Sequence, residues 1–222
     1  MFTNWCWQVI VISIMETTNK TSVIEFVDKL FTERGVKFEK TTNGEYNIDG
    51  DIFLDDFPEL AVDGKLIIKF NKVTGYFGAS GLLTRLDGCP REVGKTFICI
   101  DCNGLTTLKG APEKVGLDFI CSSCENLTSL EGSPKEVGRD FDCSDCGNLT
   151  TLEGCTRELV GHFWCTNCNR LKSLKGAPEK VDGHFDCRNC GTQFTEEDVK
   201  KICRRDVSLG RIFVAPDHDD LF

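Results

Sequence analysis

FICIDCNGLTTLKGAPEKV (residues 97–115) and FICSSCENLTSLEGSPKEV (residues 119–137) are near copies set 22 residues apart, and the spacing persists through five tandem segments from Phe97 to Cys190. Each segment begins Phe-x-Cys-x-x-Cys. The first cysteines are Cys99, Cys121, Cys143, Cys165 and Cys187, and the second are Cys102, Cys124, Cys146, Cys168 and Cys190. A fixed period in the twenties predicts a solenoid, in which a repeat buries its apolar face only by stacking on its neighbours.

Within one repeat, the alternation of a strand directs Phe141 and Cys143 inward and Asp142 and Ser144 outward. Cys146 falls where the chain leaves the strand, a position for a small polarizable side chain whose S–H reaches a backbone carbonyl. Leu149 and Leu152 fill the middle of the coil. Gly154 and Thr156, or Pro112, Pro134 and Pro178 in the sister repeats, turn the chain without a helix, for which 22 residues leave little room.

The order Phe-x-Cys-x-x-Cys-x-x-Leu followed by Leu127–Val137 (LTSLEGSPKEV) resembles the leucine-rich repeat, and most closely the short-repeat type of bacteria and bacteriophages, over roughly residues 48–190. In that alignment cysteine stands where the family often has a ladder asparagine. The resemblance implies an α+β solenoid with a parallel β-sheet on the concave face and capped ends. It also implies non-catalytic recognition of a protein, by a phage or bacterial factor acting on a host protein.

The flanks are expected to cap the stack. Residues 1–14 read as an upstream extension, because the polar leader begins at Met15; a loosely packed strand is the alternative. Residues 15–47 form an N-terminal cap. Its helix starts at Thr21 or Ser22, carries Val23, Ile24, Phe26, Val27, Leu30 and Phe31 on one face, and stops at Gly35. A hairpin follows, with strands Val36–Lys40 and Glu45–Leu54 around Asn43-Gly44. Residues 48–96 read as degenerate repeats, with strands at Asp49–Leu54, Leu66–Phe70 and Gly75–Phe77 and the repeat frame at Leu83–Pro90. Residues 191–222 hold a helical cap, opened by a Thr195/Asp198 capping box and running to about Arg205 with Val199, Ile202 and Cys203 buried. A strand at Arg211–Ala215 and an acidic tail complete the chain.

Ten of the fourteen cysteines lie in the pairs, and Cys89 and Cys155 take the place filled elsewhere by Ala111, Ser133 and Ala177, which leaves only Cys6 and Cys203 outside the repeat. A structural thiol column is therefore the expected role. Zinc is the competing reading, since C-x2-C with an 18-residue spacer matches paired knuckles. Against it, the leucines and glycines share the period, and five pairs leave one unpartnered. No cofactor is expected. With no basic leader before Trp5–Met15 and no run long enough to span a bilayer, a reducing cytoplasm of a bacterial or infected host cell is the expected location. A net charge of −9 argues against nonspecific phosphate binding and leaves an acidic nucleic-acid mimic as a further alternative.

The outward strand positions are where sequence is released from packing. Three rows are expected there: Ile98, Ile120, Asp142, Trp164 and Asp186; then Ile100, Ser122, Ser144, Thr166 and Arg188; then Asp101, Ser123, Asp145, Asn167 and Asn189. Just before each Phe stand Thr96, Asp118, Asp140, His162 and His184. Ile98, Ile100 and Ile120 form an apolar cluster, and Trp164 with His162 and Asp142 forms a second anchor, the pattern of a binding hot spot. The bland alternatives are that an N-terminal segment covers the isoleucines and that Trp164 is a tolerated surface residue. For His162 and His184, a metal or acid–base role competes with plain solvation. No nucleophile elbow, phosphate loop or metalloprotease helix is present, so no enzyme is expected. Asp219-Asp220-Leu221-Phe222 is similar to the tails that enter a sliding-clamp pocket, which implies a clamp contact through Leu221 and Phe222, although the usual glutamine is absent.

Overall fold

The computed structural model describes residues 20–203 and 210–214. The chain forms a β-solenoid in which each regular coil carries two very short strands rather than one. The expected strand is there: Phe97–Ile98, Phe119–Ile120, Phe141–Asp142, Phe163–Trp164 and Phe185–Asp186 pair in parallel, Phe against Phe. Four residues earlier in each coil lies a second strand, as in Glu92–Val93, Lys114–Val115 and Glu136–Val137, pairing Val against Val. The Pro-x-x-Val segment was expected to be only a turn. It becomes a strand because its backbone groups also need partners, and stacked coils supply them.

The two ladders run with opposite hydrogen-bond sense. Phe119 and Cys121 donate to Asp140 and Asp142 of the following coil, whereas Gly138 donates back to Val115 at 2.9 Å. Between Val and Phe the chain bends at glycine, and the coils approach so closely that a Cβ at Gly138 would lie 2.0 Å from the Gly116 carbonyl oxygen. The core is a column. Phe97, Phe119, Phe141, Phe163 and Phe185 are fully buried, with neighbouring ring centroids 5.0 to 5.8 Å apart. Beside them stack the first cysteines and both leucines of each coil. Fully burying a side chain of this size contributes about 1.5–3 kcal/mol, so repetition of one residue supplies much of the cohesion along the stack.

The N-terminal flank joins the same stack. Helix α1 (Lys20–Glu33) buries Val27, Leu30 and Phe31, and the chain leaves it through Gly35 at φ +69°. Phe31 packs on Phe38, Tyr46 and Phe57. Strand Lys37–Lys40 pairs antiparallel with Tyr46–Asp49 around Gly44 (φ +77°), and Tyr46–Asp49 continues in parallel onto Phe70–Val73. The single strand expected over Glu45–Leu54 is two, because Gly50 at φ +138° breaks it; Ile52–Phe53 then enters the Phe ladder. Likewise Leu66–Phe70 is not one strand: Lys65–Leu66 pairs with Ala61–Val62, and Phe70–Val73 starts afresh.

At the other end, helix α2 (Glu196–Ile202) opens with the expected capping box, Asp198 N–H donating to Thr195 Oγ1 and Thr195 N–H to Asp198 Oδ2. Val199 and Cys203 are buried and Ile202 half-buried. Ile212–Phe213 adds a last parallel strand beside Phe185–Asp186, so the Phe ladder is an eight-stranded sheet among the described residues. The proposed extension at 1–14, the start at Met15, Cys6, residues 204–205 and the tail with Leu221 and Phe222 lie outside the described residues.

Candidate recognition surface and thiol column

The second cysteine of each pair donates its S–H across the stack. Cys124, Cys146, Cys168 and Cys190 reach the carbonyls of Cys99, Cys121, Cys143 and Cys165 at 3.1 to 3.3 Å, and Cys102 reaches Ala79. The residue before each of these cysteines makes the sharp turn that aims the thiol: Asp101, Ser123, Asp145, Asn167 and Asn189 all lie at φ +55° to +59°. These five were expected as a third outward strand row. They are instead left-handed turn positions, which explains why only Asp, Asn and Ser occur there. Burial pushes the thiols of Cys121 and Cys143 well up and those of Cys146 and Cys168 up to about 12, so they stay protonated donors. At the end of the column the half-buried Cys190 is shifted down by its hydrogen bond with Cys165. Among the described residues no group of three or more His, Cys, Asp or Glu is placed to hold a metal ion.

The position before each Phe forms a second, polar ladder that the sequence reading did not foresee. Thr96 Oγ1 donates to Asp118, and the Asp118 carboxylate accepts Asp140 N–H at 3.3 Å and is clamped by Arg139. Asp140 Oδ1 accepts His162 N–H at 2.7 Å; His162 Nδ1 accepts His184 N–H at 2.7 Å; His184 Nδ1 accepts Arg211 N–H at 2.9 Å. From Asp118 onward each side chain therefore accepts the backbone N–H of the next coil. The signal was available in the sequence, as short acceptor-bearing side chains at one register position in consecutive repeats.

The outer side of the Phe ladder is the broad surface that remains. Along its main row lie Phe53, Gly78, Ile98, Ile120, Asp142, Trp164, Asp186 and Phe213 in direct register. The ladder makes Ile98 and Ile120 neighbours and puts Trp164 beside Asp142, two coils from Ile120; Ile98, Ile100, Ile120, Asp142, Trp164 and His162 are all half-buried. Asp186, expected outward, is only 4% exposed, because Arg188 folds over it through paired hydrogen bonds. Thr96, Asp118 and Ser144 are also buried. Burial raises the Asp142 carboxyl above its usual value, although Ser144 N–H donates to it at 2.9 Å. The isoleucine end extends further than expected: Phe53 stacks near Tyr76 at 6.4 Å, and Lys95 sits over the Tyr76 ring.

Outside the Phe ladder lie inter-coil charge pairs, Lys72–Glu92 and Lys114–Glu136 along the Val ladder and Lys109–Glu131 and Lys175–Glu153 at the Leu-x-Gly turns, all within 3.1 Å. Exposed pairs of this kind contribute roughly 0–1 kcal/mol each. Their acidic members are matched by lysines rather than arrayed like a phosphate backbone. Among the described residues no helix is long and apolar enough to cross a membrane. No protein family, no curated protein and no solved structure matches this chain.

Proposed function

We propose that the protein is a short leucine-rich-repeat solenoid, closed by an α/β cap at its N-terminal end and a helical cap at its C-terminal end, that binds a protein partner on the outer face of the Phe ladder. The observation that carries this reading is the contrast within one coil. The inward positions repeat Phe, Cys and Leu, while the outward row changes from Ile98 and Ile120 to Asp142 and Trp164 and keeps large side chains half-exposed. A stack needs the first set for cohesion, and it has no such need of the second. Half-exposed aromatic and aliphatic groups with polar neighbours are the composition of interface hot spots. The buried thiols of Cys146 and Cys168, with pKa values raised and S–H groups committed to carbonyls, support a packing role for the cysteines. A bacterial or phage factor acting in a reducing cytoplasm fits free cysteines at this density.

The test is site-specific photo-crosslinking in the source cell. Crosslinkers at Ile98, Ile120 and Trp164 are expected to capture one common partner, and crosslinkers at Lys114 and Glu136 in the Val ladder to capture none. Equal capture from both ladders overturns the proposal.

A further inference from the structure

At the C-terminal half of the face four rings are contiguous. Trp164 lies 5.1 Å from His162, His162 stacks 4.6 Å from His184, and Phe213 meets His184 edge-on at 5.7 Å. All four are half-buried. The polar ladder decides the chemistry they present. Because Nδ1 of both histidines accepts a backbone N–H, the proton of each neutral imidazole resides on Nε2. Neither Nε2 has an acceptor among the described residues, and neither has the indole N–H of Trp164. A metal could take these nitrogens only by breaking the ladder. The patch therefore offers aromatic faces and three hydrogen-bond donors.

The surrounding charges narrow the ligand. Asp140 and Asp142 border the patch, Arg188 is committed to Asp186 and covers Phe213, and the chain carries a net charge of −9. An anionic ligand is thereby opposed, and a basic one is favoured. We infer that Trp164, His162, His184 and Phe213 bind a proline-rich segment of the partner in the polyproline II conformation, flanked by basic residues. Proline lacks an N–H and so brings no donor that this patch would leave unpaired, while its ring packs on aromatic faces. The free carbonyls of such a segment recur with a rise of about 3.1 Å per residue, so carbonyls one or two residues apart (~3–6 Å) bracket the spacing of the two imidazoles. This assignment rests on the proposed role of the Phe-ladder face and names the ligand class for one end of it.

The test is an NMR titration of the full chain with decaproline bracketed by arginines. Binding is expected to shift the Trp164 indole N–H and the His162 and His184 resonances. The double variant His162→Asp, His184→Asp keeps a ladder acceptor, as Asp118 and Asp140 do in sister coils. Once its thermal unfolding is shown to match the parent, it is expected to bind decaproline flanked by glycines, which the added carboxylates do not attract, roughly tenfold more weakly, as loss of two net hydrogen bonds implies. Trp164→Phe removes the third donor alone and serves if the aspartates impair folding. Lys114→Gln, in the Val ladder, is expected to bind the peptide as the parent does. No shift at millimolar peptide, affinity for the glycine-flanked peptide unweakened in both the histidine double variant and Trp164→Phe, or shifts with cellohexaose in place of the peptide each overturn the inference. Peptide silence does so even where crosslinks from Trp164 continue to mark the face as a recognition surface.

Discussion

Gly138→Ala separates the stacked-coil account from ordinary sequence reasoning. Gly138 is exposed and its φ is not positive, so a surface argument expects stabilisation of about 0.4–1 kcal/mol from a stiffer unfolded chain. The geometry says otherwise. The added Cβ would lie 2.0 Å from the Gly116 carbonyl oxygen and 2.7 Å from its carbon, backbone atoms held by their own coil. Relief requires the coils to part by about an ångström, weakening the bonds of Gly138 to Val115 and Arg139 to Leu117, both 2.9 Å. Overpacking costs about 1–3 kcal/mol and each weakened hydrogen bond up to about 0.5–1.5, so the net loss is about 1–3 kcal/mol after the entropic gain. For a chain of this size that lowers Tm by about 3–10 °C. Gly147→Ala is the control, since nothing lies within 4 Å of its Cβ and its φ is not positive. Thermal unfolding by circular dichroism reads both. A Gly138→Ala midpoint equal to or above that of the parent, or equal to that of Gly147→Ala, would refute the close stacking.

Three further outcomes are expected. His162→Leu removes the acceptor of His184 N–H and should cost about 1–3 kcal/mol, whereas His162→Asn should cost much less; equal losses in chemical denaturation would show that the ladder bond is unimportant. Under native alkylation with iodoacetamide, Cys190 should be modified before Cys121 and Cys143, because it is half-exposed and its pKa is lowered by Cys165 while theirs are raised by burial; peptide mapping that finds Cys143 labelled as fast as Cys190 contradicts this. Burial raises the Asp142 pKa above 3.8, so the stability this group contributes is present below the ordinary carboxylate value and lost as pH rises through the folded value. Asp142→Asn should therefore raise Tm at neutral pH and leave it unchanged near about pH 3; a lower Tm at neutral pH would show that the charge is favourable in place.

The repeat period was legible because stacking imposes it on Phe, Cys and Leu alike; the inward direction of Phe141 and Cys143 followed from strand alternation, and the repeat pattern placed Leu149 and Leu152 inside the coil. The Val ladder was hidden. Two-residue strands such as Lys114–Val115 have no alternation to detect, and their pairing partner is a residue 22 positions away. Turn residues misled as well: Asp145 was placed in an outward row although it shares the parity of Phe141 and Cys143, and the chain has already turned left-handed there at φ +59°. Of the surface, Ile98, Ile120 and Trp164 were readable as outward, whereas the burial of Asp186 depended on Arg188 folding back over it, a side-chain event that spacing does not encode. The role of His162 was missed although acceptor-bearing side chains recur before each Phe from Asp118 on, because the backbone N–H that each one faces lies in another coil. Phe53 and Phe213 escaped because they belong to coils without the cysteine signature.

The paired cysteines are packed thiols, the second of each pair donating to a carbonyl, and the outer face of the Phe ladder is proposed to carry recognition. Metal content and free-thiol count, measured together on protein purified under reducing conditions without chelator, test this most directly. Fourteen free thiols, negligible zinc and an unfolding midpoint unmoved by chelator are the predicted result. Stoichiometric zinc lost together with the fold on chelation would contradict it, and would make metal rather than stacking the basis of the structure.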